Sequence, residues 1–116
     1  MHQGDTYTVR LFLGRKIGYT EKLYDAAEVV GELRRFFDLN PDDRLAVRVS
    51  DLTFVAPGHV EPGVELAACD YPRYPIGPVV LVERMTRLAR HLMQAFSQER
   101  VTLETPFKTI VLEKGD

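Results

Sequence analysis

Two stretches of the sequence gather side chains that could bind a small molecule. The first follows Gly14 and contains three basic residues and a tyrosine: Arg15, Lys16, Tyr19 and Lys22. The second runs from Cys69 to Pro78, where prolines recur every three residues, and it contains Tyr71, Arg73 and Tyr74. Three residues is the period of a polyproline II segment, and rigid aromatic side chains bind ligands at a low entropic cost. We predict that these seven residues form the binding site.

The expected ligand is a small anion or an acidic segment of a partner protein. Each stretch leads into a predicted helix, and the N–H groups and dipole at a helix N-terminus favour negative charge. The basic side chains add to that preference. We expect the two loops, residues 14–24 and 69–78, to lie on the same side of the sheet and to share one site.

Residue types that carry catalysis or bind metals are scattered along the chain. Cys69 is the single cysteine, so the sequence contains no internal disulfide and no Cys-x-x-Cys metal motif. His59 lies near Glu61 in a loop predicted at residues 57–63, but a general base also needs a fixed partner and a pocket. We therefore predict no catalytic residue, no metal site and no cofactor. The alternative is an enzyme that uses some of Tyr19, His59, Tyr71 and Arg73.

The segment Gly14-Arg15-Lys16-Ile17-Gly18 resembles the Gly-Arg-x-x-Gly phosphate loop of acylphosphatases over five residues. In that family an arginine that grips phosphate should follow soon after the second glycine. Here Tyr19 and Thr20 stand at those positions, and the next cation is Lys22. Because the chain departs from the pattern at the phosphate-gripping residue, we do not assign it to the family.

A basic face on the second predicted helix is a further candidate. It carries Arg84, Arg87, Arg90 and His91. These residues could contact the phosphates of a nucleic acid, or they could form a solvated face in which Glu83 and Arg87 pair four residues apart. The net charge of −2 argues against general nucleic-acid binding.

Hydrophobic periodicity predicts the elements that must position these residues. Alternating apolar residues indicate strands at residues 7–13, 45–49 with a continuation to 56, 64–68, 100–104 and 107–112. Helices are predicted to begin after the caps Asp25 and Gly77. This order predicts one α+β domain over residues 1–116, a ferredoxin-like split βαβ sandwich with a mainly antiparallel sheet and two helices on one face.

Three details of these elements can be compared with a structure. The second helix should bury a stripe that includes Leu88. The first should bury Ala26, Ala27, Val30, Leu33 and Phe37, with Phe36 at the edge of this stripe and a close packing contact at Gly31. The alternation slips at Ser50-Asp51, which predicts a bulge or turn there.

Our leading functional hypothesis is a small non-enzymatic domain that self-associates and binds an anion or a protein partner through the 14–24 and 69–78 loops. The first alternative is a dimeric ferredoxin-like enzyme that acts on a small acidic substrate. The second is a nucleic-acid-associated accessory protein that uses the Arg84–His91 helix face, although the net charge of −2 argues against nucleic-acid binding. No apolar run approaches the roughly 20 residues that span a bilayer, so we expect a cytoplasmic protein without membrane contact.

Overall fold

The protein folds as a five-stranded antiparallel sheet with two helices packed on one face. The computed structural model describes residues 1, 3, 7–14, 23–70 and 75–115. The elements in chain order are β1 (Thr8–Gly14), α1 (Ala26–Leu39), β2 (Val47–Ala56), β3 (His59–Cys69), α2 (Pro78–Ala95), β4 (Arg100–Glu104) and β5 (Thr109–Glu113), with a short 3-10 turn at Pro41–Asp43 between α1 and β2.

The strand order in the sheet is β2-β3-β1-β4-β5, and every neighbouring pair is antiparallel. Strand β3 lies between β1 and β2, which therefore run in the same direction. A strand inserted between the two parallel strands of a βαβ unit defines the split βαβ arrangement. The predicted ferredoxin-like α+β fold is confirmed, with β5 added at one edge.

The core lies between the helices and one face of the sheet. Val9, Leu11 and Leu13 alternate along β1 and are fully buried. They pair with Ala68, Leu66 and Val64 of β3, which face the same side. Helix α2 covers them with the predicted stripe, in which Leu81, Met85, Leu88, Ala89, Leu92 and Met93 are buried. The prediction for α2 is confirmed.

The predicted buried face of α1 is wrong by about one residue. The cap is correct, because the Asp25 side chain accepts a hydrogen bond from the Glu28 N–H at 2.9 Å. The residues buried in the helix are, however, Val29, Leu33 and Phe36. Tyr24 sets this rotation, since it is fully buried. Its ring stacks on Phe96 with centroids 4.1 Å apart, and its hydroxyl donates to the Gly14 carbonyl.

Two other sequence details are also corrected. A methyl group added at Gly31 would meet no atom within 4 Å, so the expected packing contact is absent. The register of β2 on β3 is continuous from Val47 to Ala56, without a bulge at Ser50-Asp51. The hydrophobic alternation changes there because β2 and β3 continue past the end of β1, whose last residue, Gly14, pairs with Gly63.

The extension of β2 and β3 forms a two-stranded arm, residues 53–62, which turns at Pro57-Gly58. Its apolar side chains are largely exposed, with Val55 at 75% and Val60 at 66%. His59, expected in a loop, is the first residue of β3. Within the described ranges, neither helix has the length and apolar composition needed to cross a membrane. The cytoplasmic location stays a prediction.

Candidate functional site

The seven residues predicted to bind a ligand lie outside the part of the chain that the structure describes: Arg15, Lys16, Tyr19, Lys22, Tyr71, Arg73 and Tyr74. Their role stays a prediction. The strand residues at which the two loops begin are described, and their positions show whether the loops start at the same end of the sheet.

These strand residues lie at opposite ends of the central strand pair, so the expectation of one shared site is wrong. In the antiparallel pairing of β1 and β3, Gly14 lies opposite Gly63 and Thr8 lies opposite Cys69. Six residues of strand separate these positions, which is about 20 Å. The contact of Tyr24 with Phe96 also places the start of α1 beside the end of α2. Antiparallel strands end in opposite directions, and their helices therefore begin at opposite ends of the sheet.

The N-terminus of α2, where we expected an anion to bind, is already contacted by a carboxylate of the chain. Asp70 is buried, with 6% of its surface exposed. Its two carboxylate oxygens accept hydrogen bonds from the N–H groups of Ile76, at 2.8 Å, and Gly77, at 3.0 Å. Negative charge at this position is favourable for the helix dipole. Asp70 thus occupies the N–H groups just before α2 and disfavours a second anion there.

The basic face of α2 is occupied by contacts within the chain. The Arg87 guanidinium binds the Asp43 carboxylate through two nitrogens, with Nη2 2.6 Å from Oδ1 and Nε 2.9 Å from Oδ2. These hydrogen bonds lower the pKa of Asp43 and raise that of Arg87. Arg84 donates to the Arg44 carbonyl at 3.1 Å, and His91 Nε2 lies 3.0 Å from a Glu32 oxygen. This engagement argues against a phosphate-binding stripe.

The face of the sheet opposite the helices, which we call the open face, carries an aromatic cluster. Phe12 and Phe54 make an edge-to-face contact with ring centroids 6.2 Å apart. They lie with Leu52 beside Gly63, and a methyl group at Gly63 would come within 2.6 Å of Phe54 Cε2 and 2.9 Å of Leu52 Cδ1. Only glycine lets these side chains lie across β3. We call Phe12, Leu52 and Phe54 the aromatic shelf.

Carboxylates lie on both sides of the shelf along β3. Glu65 pairs with Arg10, with Nε 3.3 Å from Oε1. Glu61 lies two residues beyond Gly63 in the other direction, and its Oε2 is 3.2 Å from His59 Nε2. Strand residues two apart share a face, so all of these groups belong to the open face. The shelf with its flanking carboxylates can hold a flat apolar group that is attached to a cation.

The sequence analysis did not predict this surface, although the sequence contains two signals of it. Arg10 and Phe12 alternate with the buried residues of β1, which places both on the second face of the sheet. Pro62 and Gly63 were assigned to a loop, and this removed Glu61 from the strand. Proline is compatible with a strand at a position that pairs on one side only, and among the described residues Pro62 pairs with Thr53 of β2 alone.

No family model and no curated protein matches this sequence. Two solved structures do match the fold over almost the whole chain. One is a phage SAM lyase in complex with S-methyl-5'-thioadenosine, with 16% sequence identity, coverage of 97% of this chain and 93% of that chain, and a TM-score of 0.67. The other is a phage SAM lyase in the apo state, with 16% identity, coverage of 95% and 90%, and a TM-score of 0.68. At this identity the likeness establishes the fold alone.

The comparison contradicts the leading hypothesis of a non-enzymatic domain. Both matched structures are those of an enzyme. The hypothesis also relied on one site shared by the two loops, which the strand register excludes. The two structures agree better with the first alternative, a dimeric ferredoxin-like enzyme acting on a small acidic substrate, in that they are structures of an enzyme.

Proposed function

We propose that this chain is a lyase that cleaves S-adenosylmethionine (SAM) on the open face and releases S-methyl-5'-thioadenosine. The observation that carries the proposal is the open face itself, where an aromatic shelf lies between two carboxylates. The likeness of the fold to a phage SAM lyase supports the choice of reaction.

The shape and charge of SAM suit this surface. Its adenine ring is flat and can stack on the ring of Phe12, with Phe54 beside it, as bases do on aromatic side chains. Its sulfonium and ammonium groups are cationic, and Glu61 and Glu65 favour positive charge nearby. The open face from Gly63 to Ala67 spans about 13 Å of strand, enough for an extended nucleoside with an amino-acid tail. A cationic substrate fits these carboxylates better than the acidic substrate we first expected.

A lyase reaction on SAM balances without water or an oxidant. An oxygen of the substrate's own carboxylate forms a bond to the γ-carbon, and the bond from that carbon to sulfur breaks. The electron pair of the broken bond stays on sulfur, which turns the sulfonium into the neutral thioether of S-methyl-5'-thioadenosine. The remaining fragment leaves as homoserine lactone, and no proton is transferred.

The apolar shelf promotes this step because the reaction neutralises charge. A carboxylate and a sulfonium are both well solvated in water, and they combine to form uncharged groups. Replacing water around the sulfur by the side chains of Phe12, Leu52 and Phe54 favours the less charged transition state. In this proposal the protein holds the substrate extended and excludes water, while the substrate supplies its own nucleophile.

Replacing Phe12 by alanine tests the site. Base–aromatic stacking contributes about 1–3 kcal/mol, so we expect Phe12→Ala to lower kcat/KM for SAM by about tenfold or more. Phe107→Ala is the matched control, because Phe107 is 66% exposed in the turn between β4 and β5, away from the shelf. Circular dichroism checks that both variants are folded. If Phe12→Ala retains the wild-type kcat/KM, the site is not on the shelf.

A further inference from the structure

Three charged side chains lie together on the open face around a small residue. Ala67 of β3 pairs with Arg48 of β2 on one side and with Arg10 of β1 on the other. Glu65 is the next residue of β3 on the same face and is paired with Arg10. We propose that this cluster binds the amino-acid head of the substrate, with Glu65 taking the ammonium group and Arg48 taking the carboxylate. The inference rests on the proposed function and adds the residues that recognise one end of the substrate.

Glu65 is held in place for this role. Its side chain is 27% exposed, and the contact of Arg10 Nε with Oε1, at 3.3 Å, fixes its position on the sheet. An ionised carboxylate has about four lone-pair sites, so this contact leaves acceptors for the ammonium donors of a ligand. Arg10 acts through Glu65 and is a positioning residue.

Arg48 keeps its guanidinium available. Its contact among the described residues is from Nη2 to the Cys69 sulfur, at 3.8 Å, and a thiol is a weak acceptor. The planar guanidinium matches the two oxygens of a carboxylate. Arg48 and Glu65 lie diagonally across β2 and β3, where residues are about 7–8 Å apart, so their long side chains can contact adjacent groups of one ligand.

Ala67 lies between the charged residues of this cluster, and its small side chain leaves space above the sheet for a ligand. Residues on the open face alternate along β3 as Glu61, Gly63, Glu65 and Ala67, so the head group would lie at one end of the strip and the adenine ring over the shelf. Each carboxylate oxygen has two lone pairs, so binding of both oxygens by Arg48 leaves a lone pair with which one of them can attack the γ-carbon. The structure therefore assigns a direction to the bound substrate.

Three ligands separate the roles of the two residues: SAM, which has the whole head; decarboxylated SAM, which keeps the amine; and S-methyl-5'-thioadenosine, which has neither group. KM is measured for SAM by release of the thioether, and Kd for the other two by calorimetry. We expect Arg48→Ala to raise KM for SAM by about tenfold or more without changing the other two constants. We expect Glu65→Gln to weaken binding of SAM and decarboxylated SAM alike, again without an effect on S-methyl-5'-thioadenosine.

Two control variants complete the experiment. Arg34→Ala removes an exposed arginine from α1, on the other side of the sheet, and should leave all three constants unchanged. Arg48→Lys keeps the charge without the planar fork and should recover part of the lost affinity. If the wild type cleaves SAM and Arg48→Ala leaves KM unchanged, or weakens all three ligands equally, the head-group assignment is wrong and the proposed function stands. If the wild type neither binds nor cleaves SAM, both proposals fail.

Discussion

Two glycines show how the neighbours of a residue determine its role. A side chain at Gly63 would collide with Phe54, Leu52 and the Leu13 carbonyl oxygen, the last at 2.9 Å. Gly63 is therefore needed for the aromatic shelf to pack on β3. Gly31 lies on the outer surface of α1, where a methyl group would meet nothing.

Gly31→Ala should stabilise the protein. Glycine in a helix interior is less favourable than alanine by about 0.5–1 kcal/mol, and nothing at this position opposes the added methyl group. We expect the free energy of unfolding in urea to rise by about that amount. Gly63→Ala is the contrasting variant and should lower it, because a backbone carbonyl cannot move aside. A decrease for Gly31→Ala would show that α1 packs against something on this face.

The sequence supports the prediction of residue roles only where a role follows from local pattern. Leu88 was correctly placed in the core because its neighbours repeat at helical spacing. The open-face site joins Phe12, Phe54 and Glu65 from three strands, and their proximity depends on register and strand order. Neither can be read from composition or motif, so we instead selected two loops rich in basic and aromatic residues.

At the scale of elements, an ion pair holds α2 against the 3-10 turn that follows α1. Asp43 lies in the 3-10 turn at Pro41–Asp43, and its carboxylate is bound by Arg87 of α2. The hydrogen bonds from Arg87 hold the pKa of Asp43 below its ordinary value of 3.8. Since the folded pKa is depressed, this contact stabilises the protein above the ordinary value, and the contribution is lost as the pH falls through the folded pKa.

Asp43→Asn should therefore lower the free energy of unfolding at neutral pH and have little effect on it in acid. We expect the difference in unfolding free energy between wild type and variant to stay constant above about pH 5 and to shrink towards about pH 2. Urea titrations across this range measure it. Asp42→Asn is the matched control, because Asp42 is exposed in the same turn. A difference that does not change with pH would mean that the charge of Asp43 is unimportant to the contact.

Elements were predictable where their apolar pattern repeats over several turns. Helix α2 has eighteen residues with a regular stripe, and its start after Gly77 and its buried face were both predicted correctly. The face of α1 was wrong because one long-range contact, between Tyr24 and Phe96, sets its rotation. The bulge predicted in β2 was wrong because the pattern changes where the strand leaves the helices, while the pairing with β3 continues.

At the scale of the whole molecule, no described residue pairs with the β2–β3 arm from outside or with the outer edge of β2. The arm exposes Phe54, Val55 and Val60 at 39%, 75% and 66%. Exposed edge strands with apolar side chains pair readily with another chain. The sequence led us to expect self-association. We propose that the arm is where a second copy of the protein makes contact, and that this contact adjoins the shelf through Phe54.

Light scattering at micromolar concentration tests the assembly. We expect a mass above that of one chain for the wild type and the monomer mass for Val55→Lys, because a charge on the arm disfavours its burial. Val79→Lys is the matched control, since Val79 is 65% exposed at the start of α2, away from the arm. A wild type with the monomer mass, or the same mass for all three proteins, would contradict a contact through the arm.

The most direct test of the central claim is to incubate the purified wild-type protein with SAM and to quantify S-methyl-5'-thioadenosine by mass spectrometry. A sample without protein corrects for spontaneous decomposition, and Phe12→Ala tests whether the activity depends on the shelf. We predict that S-methyl-5'-thioadenosine and homoserine lactone form in equal amounts, faster than without protein and more slowly with the variant. Formation of the thioether at the spontaneous rate, in the presence of folded wild-type protein, would contradict the assignment of this chain as a SAM-cleaving enzyme.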